Sequence, residues 1–153
     1  MRLLPAKLLL AFLCFCLLTG KAAAETPRQL VVVSSVDSPI QKITKEETRR
    51  AFMAIPTVIS GIRLKPLRNE SDPQLREVFL QKVIFMSKSK YEKRLVSQIF
   101  RSGGNRPSVF EDTAELIAEL ARSPEAITYM WSNQISESDR VRIIGVLWKG
   151  SQE

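Results

Sequence analysis

The run Leu30-Val31-Val32-Val33 constrains the fold more than any other stretch, because a strand apolar at every position has no face to give to water. It belongs at the centre of a sheet with helices on both sides, which points to an α/β domain. The polar loop from Ser34 to Pro39 follows it directly. In an α/β sheet, ligands gather at the carboxyl ends of strands, so Ser34 and Ser35 are candidate hydrogen-bond donors; an ordinary strand-to-helix turn is the competing reading.

Capping signals and apolar periodicity order the rest. Thr44-Lys45-Glu46-Glu47 is a capping box that starts a helix through Ala51, Phe52 and Ala54, closed before Pro56. Ser60-Gly61 turns the chain into a strand at 62–67, and strand, helix and strand together have the length of a crossover unit. A second helix from Pro73 to Phe85 presents Leu75, Val78, Phe79 and Val83 to the core. Ser89-Lys90-Tyr91-Glu92 reads as another capping box, opening a third helix with Tyr91, Leu95 and Ile99 four apart. Asp112 caps a fourth helix carrying Leu116, Ile117 and Leu120, stopped at Ser123-Pro124. Strands at Ala126–Met130 and Val141–Leu147, separated by a polar loop, complete the order, with Trp131 and Trp148 at strand ends, where an aromatic either seals the core, the commoner case, or offers a partner surface.

The junction Arg68-Asn69-Glu70-Ser71-Asp72-Pro73 closes one strand and opens the second helix. Pro73 suits the first helical turn, and Ser71 or Asp72 can cap the amides behind it. A helix start carries a partial positive charge and free N–H groups, so Arg68, Asn69 and Ser71 are candidate ligands for a small anion. Glu70 and Asp72 compete with any such anion, which favours an ordinary capped helix. The loop Arg101–Pro107, with Gly103-Gly104 between two arginines, is a second anion-nest candidate, or a helix C-cap followed by a turn.

Residues 1–24 read as a cleavable secretory signal: Arg2 and Lys7 precede the apolar run Leu8–Leu18, and Ala22-Ala23-Ala24 follow. Its removal leaves residues 25–153, one domain of 129 residues with no transmembrane segment, in the periplasm. Three of the 23 basic residues belong to the signal, so the net charge falls from +7 to +4. Both cysteines, Cys14 and Cys16, lie in the signal as well, and the residues before them do not form a lipid-attachment motif. With no histidine anywhere, the usual metal ligands, thiol nucleophile and commonest general base are missing, so neither an enzyme nor a cofactor is expected. Lys90, Lys93, Arg94, Ser97 and Arg101 form a basic helical stripe, but it lacks interleaved aromatics and reads as a solvated face rather than a nucleic-acid site.

In their order, these motifs resemble the phosphate-binding proteins of ABC uptake systems, of the type II periplasmic-binding fold, in a single-lobe form. The resemblance runs from Leu30 to Val146. It is carried by the helix ending in Phe52, Gly61 before Arg63 and Pro66, Arg68 through Ser71 to Phe79, then Phe100, Gly103 and Pro107. Ser123-Pro124-Glu125-Ala126-Ile127-Thr128-Tyr129 is similar to the family's Pro-Gly-Ala-Ile-Gly-Tyr pattern, with Glu125 and Thr128 where glycines are usual. The resemblance implies a small mixed sheet flanked by helices and a phosphate site built from an Arg and an acid-Gly-Ser-Gly-Thr run. Arg68, Glu70 and Ser71 match that site, while Asp72, Pro73 and Gln74 replace its Gly and Thr positions.

A family cleft lies between two lobes, and this chain supplies one, so closure on a ligand would need a homodimer or another protein. The expected function is a non-enzymatic binding module that takes a phosphate-like anion or serves a membrane transporter or sensor. The alternative is a protein-interaction adaptor with a degenerate pocket.

Overall fold

The computed structural model describes residues 28–135 and 140–150. Residues 1–24, where a secretory signal is expected, and with them both cysteines, lie outside the described residues. The elements in chain order are β1 (Gln29–Ser35), α1 (Lys45–Phe52), β2 (Val58–Ile59), β3 (Ile62–Arg63), β4 (Lys65–Asn69) and α2 (Pro73–Phe79). A π-helical turn (Leu80–Ile84), α3 (Lys88–Ser102), β5 (Ser108–Phe110), α4 (Thr113–Arg122), β6 (Ala126–Trp131), a 3-10 turn (Ser132–Gln134) and β7 (Val141–Lys149) follow.

Five strands form one mixed sheet in the order β5-β4-β6-β1-β7. β4 runs parallel to β5 and β6, whereas β1 is antiparallel to both of its neighbours. The apolar run of β1 therefore sits inside the sheet, as its composition requires. Leu30 and Val32 enter the larger core under α1, α2 and α3, with Phe52, Phe79 and Leu95. Val31 and Val33 enter the smaller one under α4, with Leu116 and Leu120. Phe52, Phe79 and Tyr129 form the aromatic centre of the larger core; Phe79 and Tyr129 stack at 3.7 Å between ring centroids.

Three expectations are corrected. The strand expected at 62–67 is divided at Leu64, whose N–H bonds to Thr57 O: β3 pairs with β2 in a separate hairpin, and β4 joins the main sheet. Ser60 and Gly61 both have positive φ, the geometry of a tight two-residue hairpin turn. β1, α1 and β4 are not a parallel crossover unit, because β6 lies between the two strands and they run in opposite directions. The third helix is capped by Ser87, whose side chain accepts from Lys90 N, rather than by Ser89.

Other boundaries follow from local chemistry. The capping box at Thr44 is complete, with Glu47 accepting from Thr44 N. Its interactions hold the Glu47 carboxyl below the usual range, the bond from the Thr44 backbone most of all. Gly145 is fixed by space, since a Cβ there would stand 2.6 Å from Ile43 O, where the chain crosses β7.

Candidate functional site

Alternation along β4 decides where its side chains go. Lys65 reaches α4, with its Nζ 2.7 Å from Glu119 Oε1, so the odd positions point to that face. Arg68 points to the other face, under α3, and is 4% exposed. A guanidinium that deep must be paired, because an isolated buried charge costs several kcal/mol, of order. Arg68 Nη2 donates to Glu70 Oε1 at 2.5 Å and to Glu92 Oε1 at 2.7 Å. Its Cζ lies 5.2 Å from the centroid of the Tyr91 ring. Nη1 is buried without a hydrogen-bond partner among the described residues.

The network extends outward from these carboxylates. Glu70 Oε2 faces Arg76 at 3.5 Å and Lys88 at 3.9 Å, and Glu92 Oε2 accepts from Arg106 Nη2. Four cations, Arg68, Arg76, Lys88 and Arg106, thus surround two carboxylates. The loop after α3 therefore meets the neighbourhood of Arg68 through Glu92. Gly103, in the left-handed conformation, is the C-cap that turns the chain there.

Asn69 and Ser71 belong to a different set of contacts. Asn69 Nδ2 donates to Tyr129 O at 3.1 Å, and its Oδ1 accepts from Ser71 N and from Ser71 Oγ. Thr113 at the start of α4 donates its hydroxyl to Ser71 Oγ. The amide start of α2 is also filled: Asp72 Oδ1 accepts from Gln74 N and Leu75 N, and Oδ2 accepts from Trp131 Nε1 at 2.9 Å. Burial alone would raise the Asp72 carboxyl, but the bonds from Trp131, Leu75 and Gln74 outweigh it and hold the group below its usual range.

Ser34 and Ser35 are not brought to this region. Register sets Ser34 beside Ile127, and Ile127 beside Pro66, three residues before Asn69. The separation is about 10 Å along the strands and two strand spacings across. Both serines are buried at the end of β1, facing the loop that leaves it: Ser34 Oγ donates to Ile40 O and Ser35 O, and Ser35 Oγ accepts from Asp37 N. The structure therefore divides the five candidates into three places: Arg68 under α3, Asn69 with Ser71 beside α4, and the two serines further down the sheet.

Glu92, Arg76 and Lys88 are the members of the Arg68 network that sequence reasoning missed. The signal available for Glu92 was its position one residue after Tyr91, which α3 buries together with Leu95. The phenols of Tyr91 and Tyr129 are pushed well above their ordinary range by burial, so neither serves as a base near neutral pH.

No family model and no curated protein sequence matches the chain. Among solved structures, an ABC-type phosphate transport receptor from Vibrio cholerae aligns with a TM-score of 0.56 and 11% identity, over 77% of this chain and 46% of that one. PstS from Borrelia burgdorferi aligns with a TM-score of 0.48 and 14% identity, over 78% of this chain and 47% of that one. The chain thus spans less than half the length of these receptors. At 11% identity the likeness to the Vibrio receptor is one of backbone path, and it agrees with the five-stranded mixed sheet and its four flanking helices. In fold, this chain resembles the aligned part of the Vibrio phosphate transport receptor and has the mixed-sheet architecture of one lobe of a periplasmic-binding-protein-like domain.

Proposed function

We propose that this chain is a non-enzymatic, solute-binding-like lobe, exported to the periplasm, that serves a membrane-bound transporter or sensor as a protein-interaction adaptor. The observation that carries the reading is the state of Arg68. The residue that the family resemblance makes the anion ligand is buried and held by the chain's own Glu70 and Glu92. Asp72 occupies the amides of α2 in the same way. Carboxylates covalently tethered beside a cation need no translational entropy to reach it, so a free anion competes at a disadvantage.

A second reading, direct sensing of a phosphate-like anion, draws support from two features. Arg68 Nη1 has no hydrogen-bond partner among the described residues, and the surrounding network holds two more cations than carboxylates. In that reading the anion displaces Glu92 from Arg68, and a second copy or a partner supplies the missing wall.

Isothermal titration of the purified protein with phosphate, sulfate and a panel of carboxylates, beside an Arg68→Ala variant, separates the two. The adaptor reading expects no saturable heat. Saturable binding lost in Arg68→Ala would replace it with the sensing reading.

A further inference from the structure

We propose that the outward face of α3 is a docking surface for an acidic, amphipathic segment of a partner protein. The inference deepens the adaptor reading and rests on it. α3 carries Lys88, Lys90, Lys93, Arg94 and Arg101 against one acid, Glu92. That acid is already occupied by Arg68 and Arg106. Lys90, Lys93 and Arg94 are exposed and make no ion pair among the described residues. The helix therefore presents an uncompensated positive face.

Its shape and apolar content narrow the partner. Lys88, Glu92, Lys93, Val96 and Arg106 line an open groove of about 500 Å³. Val96 is 46% exposed, and Phe100, one turn further on the same side, is 87% exposed. A groove with a small apolar centre and a cationic rim suits an acidic segment that inserts one or two apolar side chains. A carboxylate of that segment can also take Arg106 from Glu92, which links docking to the buried Arg68.

Other occupants fit less well. Single-stranded nucleic acid is held by successive stacking aromatics, and this face offers Phe100 alone. A bilayer surface requires a broad apolar face along a helix, whereas here two apolar side chains stand among lysines. A second copy would bring positive charge against positive charge.

The test uses fluorescence anisotropy of the whole protein with a labelled synthetic peptide whose Glu residues alternate with Leu and Phe at helical spacing. A scrambled peptide, a Lys-for-Glu peptide, phosphatidylglycerol vesicles and a single-stranded oligonucleotide are the comparison ligands. The expected result is saturable, salt-sensitive binding of the acidic peptide, weakened about tenfold or more by Phe100→Ser and by Lys93→Glu. Ile143→Ser, at an exposed position on β7, should leave it unchanged, and circular dichroism melts of all three variants establish that they fold. Absence of peptide binding would overturn the proposal. So would equal binding of the scrambled peptide with no effect of Phe100→Ser, or tighter binding of vesicles or oligonucleotide. Failure of the adaptor reading looks different, as phosphate heat dependent on Arg68 in a protein whose response to Phe100→Ser is a separate measurement.

Discussion

Arg68 and Lys93 carry the same charge on either side of Glu92, and their surroundings have treated them in opposite ways. Arg68 is buried beneath α3, where two carboxylates and an aromatic face surround it. Lys93 is exposed on the outside of the same helix, with no ion-pair partner among the described residues. The difference follows from the cost of desolvation, which forces pairing on a buried charge and leaves an exposed one to water. It also separates what each can do: a paired cation supports the fold, and an unpaired one remains available to another molecule.

The sharpest way to break this contrast is to remove the carboxylates. Glu70→Gln combined with Glu92→Gln leaves a buried cation without countercharge and should cost about 3–5 kcal/mol in urea unfolding. Phosphate or sulfate should then raise the melting temperature of the double variant more than that of the parent, because the anion takes the vacated place.

A smaller loss is expected on the other face. Asn69→Ala removes the donor to Tyr129 O and the acceptor of Ser71, and should destabilise by about 1–3 kcal/mol in the same assay. It should create no anion-dependent stabilisation, since Arg68 keeps its partners.

Acid titration probes a third pair. Hydrogen bonds from Lys65, then Arg122 and Ser123, hold the Glu119 carboxyl at about 2, below its ordinary value of 4.5. A carboxyl lowered in the folded state stabilises fully above about pH 4.5, and that contribution disappears as pH falls towards about 2. Both cationic partners are well exposed, at 42% and 71%, so solvent screening limits the contribution to under about 1 kcal/mol. The stability difference between the parent and Glu119→Gln should therefore be larger at neutral pH than near pH 3, by denaturant titration.

Smallest of all, Lys93→Glu or Phe100→Ser should change stability by no more than about 0.5 kcal/mol while altering partner binding. A large destabilisation by either would mean that this face is part of the fold.

The same contrast explains what was legible in the sequence. Local chemistry read well: the all-apolar β1, the capping box at Thr44, and the caps at Asp72 and Asp112 all lie where short-range rules place them. The N-cap of α3 read less well, because Ser87-Lys88-Ser89-Lys90 offers the same cap twice, and the burial of Tyr91 and Leu95 sets the helix's orientation. The π turn after α2 gave no signal in the local pattern; it ends at Phe85, which is left-handed and whose ring lies near Lys45 and Arg49, 36 or more residues earlier in the chain. Site geometry was harder still. Arg68, Asn69 and Ser71 lie within four positions of sequence, yet β alternation sends Arg68 and Asn69 to opposite faces. Glu92 lies 24 residues from Arg68, and only the packing of α3 over β4 brings them together.

The central claim is that the chain's own carboxylates stand where a bound anion would. Titrating phosphate into the parent protein beside the Glu70→Gln/Glu92→Gln variant, with calorimetric readout, tests it most directly. The account predicts no saturable heat from the parent and saturable heat from the variant. Saturable phosphate binding by the parent, abolished in Arg68→Ala, would contradict it.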